Sequence, residues 1–291
     1  MAQWKKLTQL VTGQRFTVET KNDDIKLLKL SIQVRLDGLS FCVLNCGNNE
    51  IIWYKRENFP KEYNPVKILE KIEILYQNEK ELQSHVDEVV LLFSNDLYSL
   101  VPQAYFIEEE ASNYLKFNTK ILKTDVVAHD SIANKELVNV YIPYANIINY
   151  FFDKYGEFEY KHSISVLTEA VLELDSGVGI TAYLNNFTDY FDLVVVKNNK
   201  LLLCNTFSYD TKEDFIYYLL FTAEQLELDP SQFDLRLLGD ISKESPLYTI
   251  AYTYIKNIYF LDPGFEIKPE GKNTGEFQRE AFILLKSLEC E

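Results

Sequence analysis

One order of elements occurs twice in this 291-residue chain, and the two occurrences keep a nearly constant offset. In the first, Leu30-Ser31-Ile32-Gln33-Val34-Arg35-Leu36 alternates with period two and Asp37-Gly38 marks a hairpin. Strands over Leu39 to Cys46 and Ile51 to Glu57 follow, joined by Gly47-Asn48-Asn49. Asn64-Pro65 then opens a helix carrying Val66, Ile68, Leu69, Ile72 and Leu75. Val89 to Phe93 is a continuous apolar run, as in a strand covered on both faces. In the second, strands over Ile180 to Asn186, Tyr190 to Lys197 and Lys200 to Phe207 lead to a helix and to the run Leu235 to Leu238. Ile180 follows Leu30 by 150 residues, Leu201 follows Ile51 by 150, and Leu235 follows Val89 by 146. An internal duplication explains five elements matched in type, order and spacing with one assumption. The expectation is α/β, two domains, each with a mixed sheet flanked by helices.

The second copy contains the most sharply marked helix start. Asn205 to Phe221 runs from a strand through a short turn into a helix, with Thr211 as its cap and Asp214 as the capping-box partner. Phe215, Ile216, Leu219, Leu220, Ala223 and Leu226 then recur at the spacing of one buried face.

Between the copies, Leu100-Val101-Pro102 reads as the end of a loop and Ile107 to Phe117 as a helix with an acidic first turn. Asp125 to Ile132, Leu137 to Tyr144 and Phe158 to His162 read as strands. Ala145 to Tyr155 reads as a helix stopped by Gly156, and Ser165 to Leu174 as another. Asp175-Ser176-Gly177-Val178-Gly179 is the best hinge candidate. These boundaries give an N-terminal arm over 1–26, a first domain over 27–175 and a second over 176–291. After Ser245-Pro246 a tyrosine-rich helix is expected from Leu247 to about Tyr259. The amphipathic segment Phe277 to Leu288 is expected to dock on the second domain.

Composition narrows the partners. With 47% hydrophobic and 25% charged residues the chain is globular, and its formal charge of -15 opposes phosphate backbones and anionic lipid. No apolar run approaches the roughly 20 residues of a membrane span, and the N-terminus lacks a signal-peptide pattern, so residence in the cytoplasm is expected. Cys42, Cys46, Cys204 and Cys290 form no recognisable disulfide framework, and the first three read as core residues of strands.

Three strands, a helix and a buried strand, present twice, form the plan of the actin-like ATPase fold shared by actin, Hsp70-type chaperones and sugar kinases. Asn205 to Phe221, Phe233 to Ile241 and Ser245-Pro246-Leu247-Tyr248 resemble something narrower. The likeness extends to Leu30 to Phe41, Leu100 to Pro102 and Tyr160-Lys161-His162. These stretches resemble an uncharacterised bacterial family, domain-of-unknown-function family 3822, placed in that superfamily. The resemblance implies a duplicated, ribonuclease H-like architecture of two mixed five-stranded sheets.

It also implies where a nucleotide would lie. Actin-like ATPases hold phosphates between two hairpins whose small residues let backbone N–H groups approach, and an Asp organises hydrated Mg²⁺. The matching positions are Asp37 and Gly38 in the first hairpin, Asn185 and Asn186 at the second, and Gly239 and Asp240 at the adenosine turn. Leu39 stands where a second small residue is expected, the second hairpin Asn185-Asn186-Phe187-Thr188-Asp189 has no glycine, and Asp240 places a carboxylate beside Gly239. The chain has only 10 glycines for such loops. Asp37-Gly38 reads most simply as a tight turn.

No catalytic set and no metal site can be named. His85, His129 and His162 are widely separated, and the His129-Asp130 pair lacks an accompanying nucleophile. The 20 Tyr and 19 Phe include Tyr217, Tyr218, Tyr248, Tyr252, Tyr254 and Tyr259 on second-domain helices, a composition that suits a protein interface. The expectation is therefore a non-catalytic scaffold or adaptor without a cofactor. It would bind an unidentified protein through the inter-domain cleft or the tyrosine-rich face, or pair as a homodimer, without nucleic acid or membrane insertion. The alternative is an ATP-binding protein or slow ATPase using ATP and Mg²⁺ in the cleft.

Overall fold

The computed structural model describes residues 27–116, 119–122, 124–132, 136–175, 177–265 and 274–289. The N-terminal arm, Phe117, Ser176 of the hinge candidate, residues 266–273 and Cys290 lie outside these. The alternating stretches form the expected strands. β1 (Leu28–Val34), β2 (Gly38–Asn45), β3 (Glu50–Asn58), β4 (Glu88–Phe93) and β8 (Glu159–His162) make one sheet, ordered β3-β2-β1-β4-β8. β9 (Ile180–Asn186), β10 (Tyr190–Lys197), β11 (Lys200–Ser208), β12 (Asp234–Gly239) and β13 (Asn257–Phe260) make another, ordered β11-β10-β9-β12-β13. Each sheet has two antiparallel pairings followed by two parallel ones.

Side-chain parity assigns the layers. In the β1–β2 register Ile32 lies beside Phe41, and Phe41 meets Tyr76 of α1 (Pro65–Asn78). Tyr76 and Tyr155 of α3 (Ala145–Tyr155) bring their hydroxyls within 3.0 Å, so α1 and α3 share that face. Ser31 and Cys42 point the other way, where the Ser31 hydroxyl lies 2.7 Å from that of Ser287 in α8 (Phe282–Ser287). α4 (Ser163–Leu174) packs on α8 and on β10 and β11, so α4 and α8 lie between the two sheets. α5 (Lys212–Gln225) and α6 (Pro246–Tyr254) cover the far face of the second sheet, with Phe215 against Phe191.

Five expectations are corrected. Leu100-Val101-Pro102 is not a loop end but part of β5 (Tyr98–Pro102), which joins β6 (Ala128–Ile132) and β7 (Leu137–Tyr141) in a three-stranded sheet ordered β5-β7-β6. Val101 is drawn into a small core with Leu115, Val138 and Val140, and proline is tolerated because it ends an edge strand. The helix expected from Ile107 shrinks to a 3₁₀ turn at Glu108–Glu110 and to α2 (Ala111–Leu115), neither start having a side-chain cap. The tyrosine-rich helix stops at Tyr254, because Asn257–Phe260 pairs with β12 as β13.

The fourth correction concerns the end of the chain. Phe277 to Leu288 divides into α7 (Thr274–Glu280), which packs on β12 of the second sheet as expected, and α8, which docks on β1, β2 and α4 of the first unit rather than on the second. The inner face of β1 and β2 needs a cover, and Phe282, Ile283 and Leu285 supply it, each burial worth roughly 1.5–3 kcal/mol. Cys42 and Cys204 are free thiols, Cys42 in the core as expected. Cys46, after β2, is disulfide-bonded rather than a core thiol. No helix among the described residues is long and apolar enough to cross a membrane.

Candidate functional site

The carboxyl ends of the central parallel strands β1, β4, β9 and β12 converge on one cleft, the usual place for a ligand in such sheets. At the first hairpin the loop is Leu36-Asp37, closed by the Arg35 N–H donating to the Gly38 carbonyl at 3.0 Å. The carbonyls of Asp37 and Leu36 accept from Phe59 and Tyr63 at 2.7 and 2.8 Å. Arg35, only 1% exposed, donates from Nε to Asp37 Oδ1 at 2.8 Å and from Nη2 to Asn58 Oδ1 at 2.8 Å. A Cβ on Gly38 would stand 2.4 Å from Arg35 Nη2 and 2.7 Å from the Glu57 carbonyl. Gly38 is thus required by the packing of Arg35. Asp37 Oδ2 is buried without a hydrogen-bond partner.

The second hairpin is closed by neutral groups. Asn186 Nδ2 donates to the carbonyls of Phe187 and Asp240, both at 2.8 Å, and the Tyr209 hydroxyl donates to Asn186 Oδ1 at 3.0 Å. The Asp240 N–H donates to the Asn186 carbonyl at 2.8 Å, which ties the adenosine-turn candidate to the hairpin. Gly239 has φ +72°, and a Cβ there would meet the Asn186 carbonyl at 2.1 Å. Asn185 is buried beneath this knot, opposite Asp192 in the β9–β10 register. The Thr206 hydroxyl donates to Asp192 Oδ1 at 2.7 Å, and burial pushes that carboxyl up to about 7.

Two arginines connect the halves. The Arg35 guanidinium lies 5.3 Å from the ring centre of Phe187, so the two hairpins touch each other. Arg56 of β3 reaches both carboxylate oxygens of Asp240, one at 2.7 Å, and Glu280 of α7 at 3.2 Å. This paired grip sits at the mouth of a recess of about 480 Å³ lined by Tyr54, Asn58 and the same charged groups. The structure therefore gathers all six sequence candidates at one cleft: Asp37 and Gly38 on one side, Asn185, Asn186, Gly239 and Asp240 on the other.

What remains open between the halves is acidic. A cavity of about 230 Å³ is lined by Asp37, Glu62, Asp96, Ser94, Tyr190 and Ser208. Burial, then the carboxylates of Asp189, Asp37 and Asp96, raises Glu62 above the usual range. Asp189 is raised by burial and by Asp37. Among the described residues no group of three or more His, Cys, Asp or Glu is placed to hold a metal ion.

The His129-Asp130 pair is not a catalytic dyad. Asp130 accepts from Ser165 Oγ at 2.5 Å, from Tyr141 Oη at 3.0 Å and from the His162 N–H at 2.8 Å, while the His129 ring rests on Phe106. His162 closes β8 and caps α4 by accepting from the Ile164 N–H, and burial lowers it to about 3. The residues that sequence reasoning missed are Arg35, Arg56, Phe187, Tyr209 and Glu280. Arg35 carries the only local signal, an arginine two positions before an aspartate in a hairpin.

With this geometry in place, the likeness to solved structures can be read. A protein of Bacteroides thetaiotaomicron VPI-5482 with actin-like ATPase fold and unknown function superposes with a TM-score of 0.74 at 21% identity. The match covers 91% of this chain and 97% of that one. The PilM-PilN type IV pilus biogenesis complex superposes with a TM-score of 0.56 at 13% identity, covering 91% and 98%. The fold is accordingly the actin-like ATPase fold. No curated protein matches the chain. Residues 17–258 match the family model described as protein of unknown function (DUF3822), and the chain belongs to that family.

Proposed function

We propose that this chain is a non-catalytic scaffold or adaptor of the cytoplasm, built on an actin-like fold whose nucleotide seat is filled by its own side chains. The observation that carries the reading is the contact of Arg35 with Phe187 across the cleft. Phosphates of a bound nucleotide would have to lie between those hairpins. Around that contact the backbone approach that small residues would give a phosphate is taken by Arg35 at Gly38 and by Asn186 at Gly239. The open remainder presents the carboxylates of Asp37, Glu62 and Asp96, which repel a triphosphate.

A protein partner fits the surface on the far side of the second sheet. Tyr217 stacks on Phe221 along α5, and Tyr217, Tyr252 and Tyr254 are each more than half exposed. Rigid aromatic side chains contribute contact area at little entropic cost. The PilM-PilN complex is an instance of this fold in an assembly, and it serves here as an analogy. The shared strand order of the two sheets supports their origin by duplication.

The second reading, an ATP-binding protein or slow ATPase, draws on one observation. Asp37 Oδ2 is buried beside the cavity without a partner and is chemically suited to hydrated Mg²⁺. Calorimetric titration with Mg-ATP decides between the two. The scaffold reading expects no heat and no thermal shift at millimolar nucleotide; micromolar binding that disappears in Asp37→Ala would sink it.

A further inference from the structure

The cavity of about 230 Å³ between the halves is walled from both units. Leu36 and Asp37 come from the β1–β2 turn, Glu62 from the segment before α1, and Ser94 and Asp96 from the loop after β4. Tyr190, Thr206 and Ser208 come from the start of β10 and the end of β11. Among the described residues no lysine, arginine or histidine lines it. Asn95, also in the lining, is occupied within its own loop, donating to the Ile142 carbonyl at 3.1 Å and accepting from the Leu97 N–H at 2.9 Å. What is left for a ligand is carboxylates and hydroxyls, a set that receives N–H donors.

The charges around the cavity do not balance. Asp37 is only 5% exposed; Arg35 Nε donates to its Oδ1 at 2.8 Å, and its Oδ2 has no hydrogen-bond partner. The side chains of Glu62 and Asp96 make no ion pair among the described residues. The lysines nearest Glu62 in the fold rest on aromatic rings, Lys61 Nζ 5.8 Å from the centre of Tyr63 and Lys71 Nζ 5.7 Å from that of Phe59. Burial and the carboxylates of Asp189, Asp37 and Asp96 raise Glu62, and no cation opposes them. Four carboxylates therefore stand against one guanidinium, that of Arg35. They do not converge as a metal cage would, since among the described residues no three such groups are placed to hold a metal ion. Negative charge distributed along a wall is matched by positive charges spaced along a chain rather than by a point charge.

We propose that this cavity binds a linear polyamine with two or three ammonium groups, whose N–H donors pair with Asp37, Glu62 and Asp96 while its methylenes lie along Leu36 and Tyr190. At liquid-like density 230 Å³ holds roughly eight to ten non-hydrogen atoms, the size of a diamine or triamine. Asp37 Oδ2 gains the donor it lacks, and each charge-assisted bond relieves repulsion within the cluster. Because the walls come from both units, the bound amine ties one to the other. The inference rests on the scaffold reading, in which the cleft is closed to phosphates, and names the small molecule that the cleft takes instead.

The test is calorimetric titration of spermidine into the full chain. One-to-one binding is expected, and diacetylated spermidine, which keeps the chain but loses both terminal charges, should bind about tenfold more weakly or worse. Glu62→Gln and Asp96→Asn should each weaken spermidine by about tenfold. Glu157→Gln lies beyond α3, at the end of the sheet away from the cleft, and should change nothing. Without amine, both cavity variants should melt no lower than wild type, because each removes one of several repelling carboxylates; with spermidine, their rise in Tm should shrink. If a cavity variant fails to fold, the diacetylated control still decides. Equal binding of that control, equal weakening by Glu157→Gln, binding of MgCl₂ as tight as that of spermidine, or no heat at millimolar spermidine would overturn the inference. Mg-ATP titrated into the same preparation separates the two levels: nucleotide heat counts against the scaffold reading, whereas silence toward both nucleotide and spermidine counts against the polyamine site alone.

Discussion

The two hairpins at the cleft occupy equivalent places in sheets of the same strand order, yet they are closed by opposite chemistry. The first is held by a buried ion pair, Arg35 with Asp37, whose side chains are 2% and 7% exposed. The second is held by the amide of Asn186 and the hydroxyl of Tyr209. A buried ion pair gains little net stability but is costly to break, whereas neutral bonds are individually modest. The same topology thus has one cleft wall that tolerates no single charge deletion and another that loses its bonds in small increments. Neither wall leaves the glycine positions open to a ligand.

Removing one charge from the first wall is the most severe way to break this contrast. Arg35→Leu should lower unfolding free energy by about 3–5 kcal/mol in urea titrations, because it leaves Asp37 buried and unpaired. Arg35→Leu/Asp37→Leu should regain most of that loss. A single variant as stable as the double one would mean that the pair is not buried in solution.

Asp192 tests the neutrality of the second unit. Its folded carboxyl keeps a proton up to about pH 7, against an ordinary value of 3.8. Between those values the folded state binds the extra proton, so stability falls as pH rises from about 4 to 7, by roughly 2–4 kcal/mol. Asp192→Asn keeps an acceptor for Thr206 and should remove that slope. His162, held neutral down to about 3, gives the opposite trend below its ordinary 6.5, but it is common to both proteins and cancels in the difference. Identical pH profiles for wild type and variant would show that Asp192 is ionised when folded.

Smaller effects sharpen the picture of the second wall. Tyr209→Phe removes the donor shared between Asn186 and the Phe187 carbonyl, which lies 3.0 Å away, and should cost about 1–2 kcal/mol. Thr211→Ala breaks the capping box at the start of α5 and should cost about 1 kcal/mol, read as a shift in urea midpoint at constant slope. A loss well above 3 kcal/mol at Tyr209 would place the second wall in the same class as the first.

Much of the fold was legible because its signals are local. Period-two alternation located β1, the repeated order of elements placed β9 and β10, Asn64-Pro65 located α1, and Thr211 with Asp214 located α5. Where only tertiary pairing decides, the sequence was silent. β13 exists because β12 offers a parallel edge, and α8 lies on the first sheet because the inner face of β1 and β2 needs cover. The six candidate positions do meet at one cleft, but their environment was hidden. Arg56 and Asp240 are 184 residues apart, and no periodicity links them. Asp37-Gly38 reads in sequence as a tight turn, but nothing local shows that Arg35 Nη2 packs against Gly38.

The most direct measurement of the central claim is a crystal structure grown with millimolar Mg-ATP. The account predicts an unchanged cleft, with Arg35 over Phe187, Arg56 gripping Asp240 and no nucleotide density between the hairpins. Nucleotide lying between Asp37 and Thr188, with Arg35 swung away from Phe187, would contradict it.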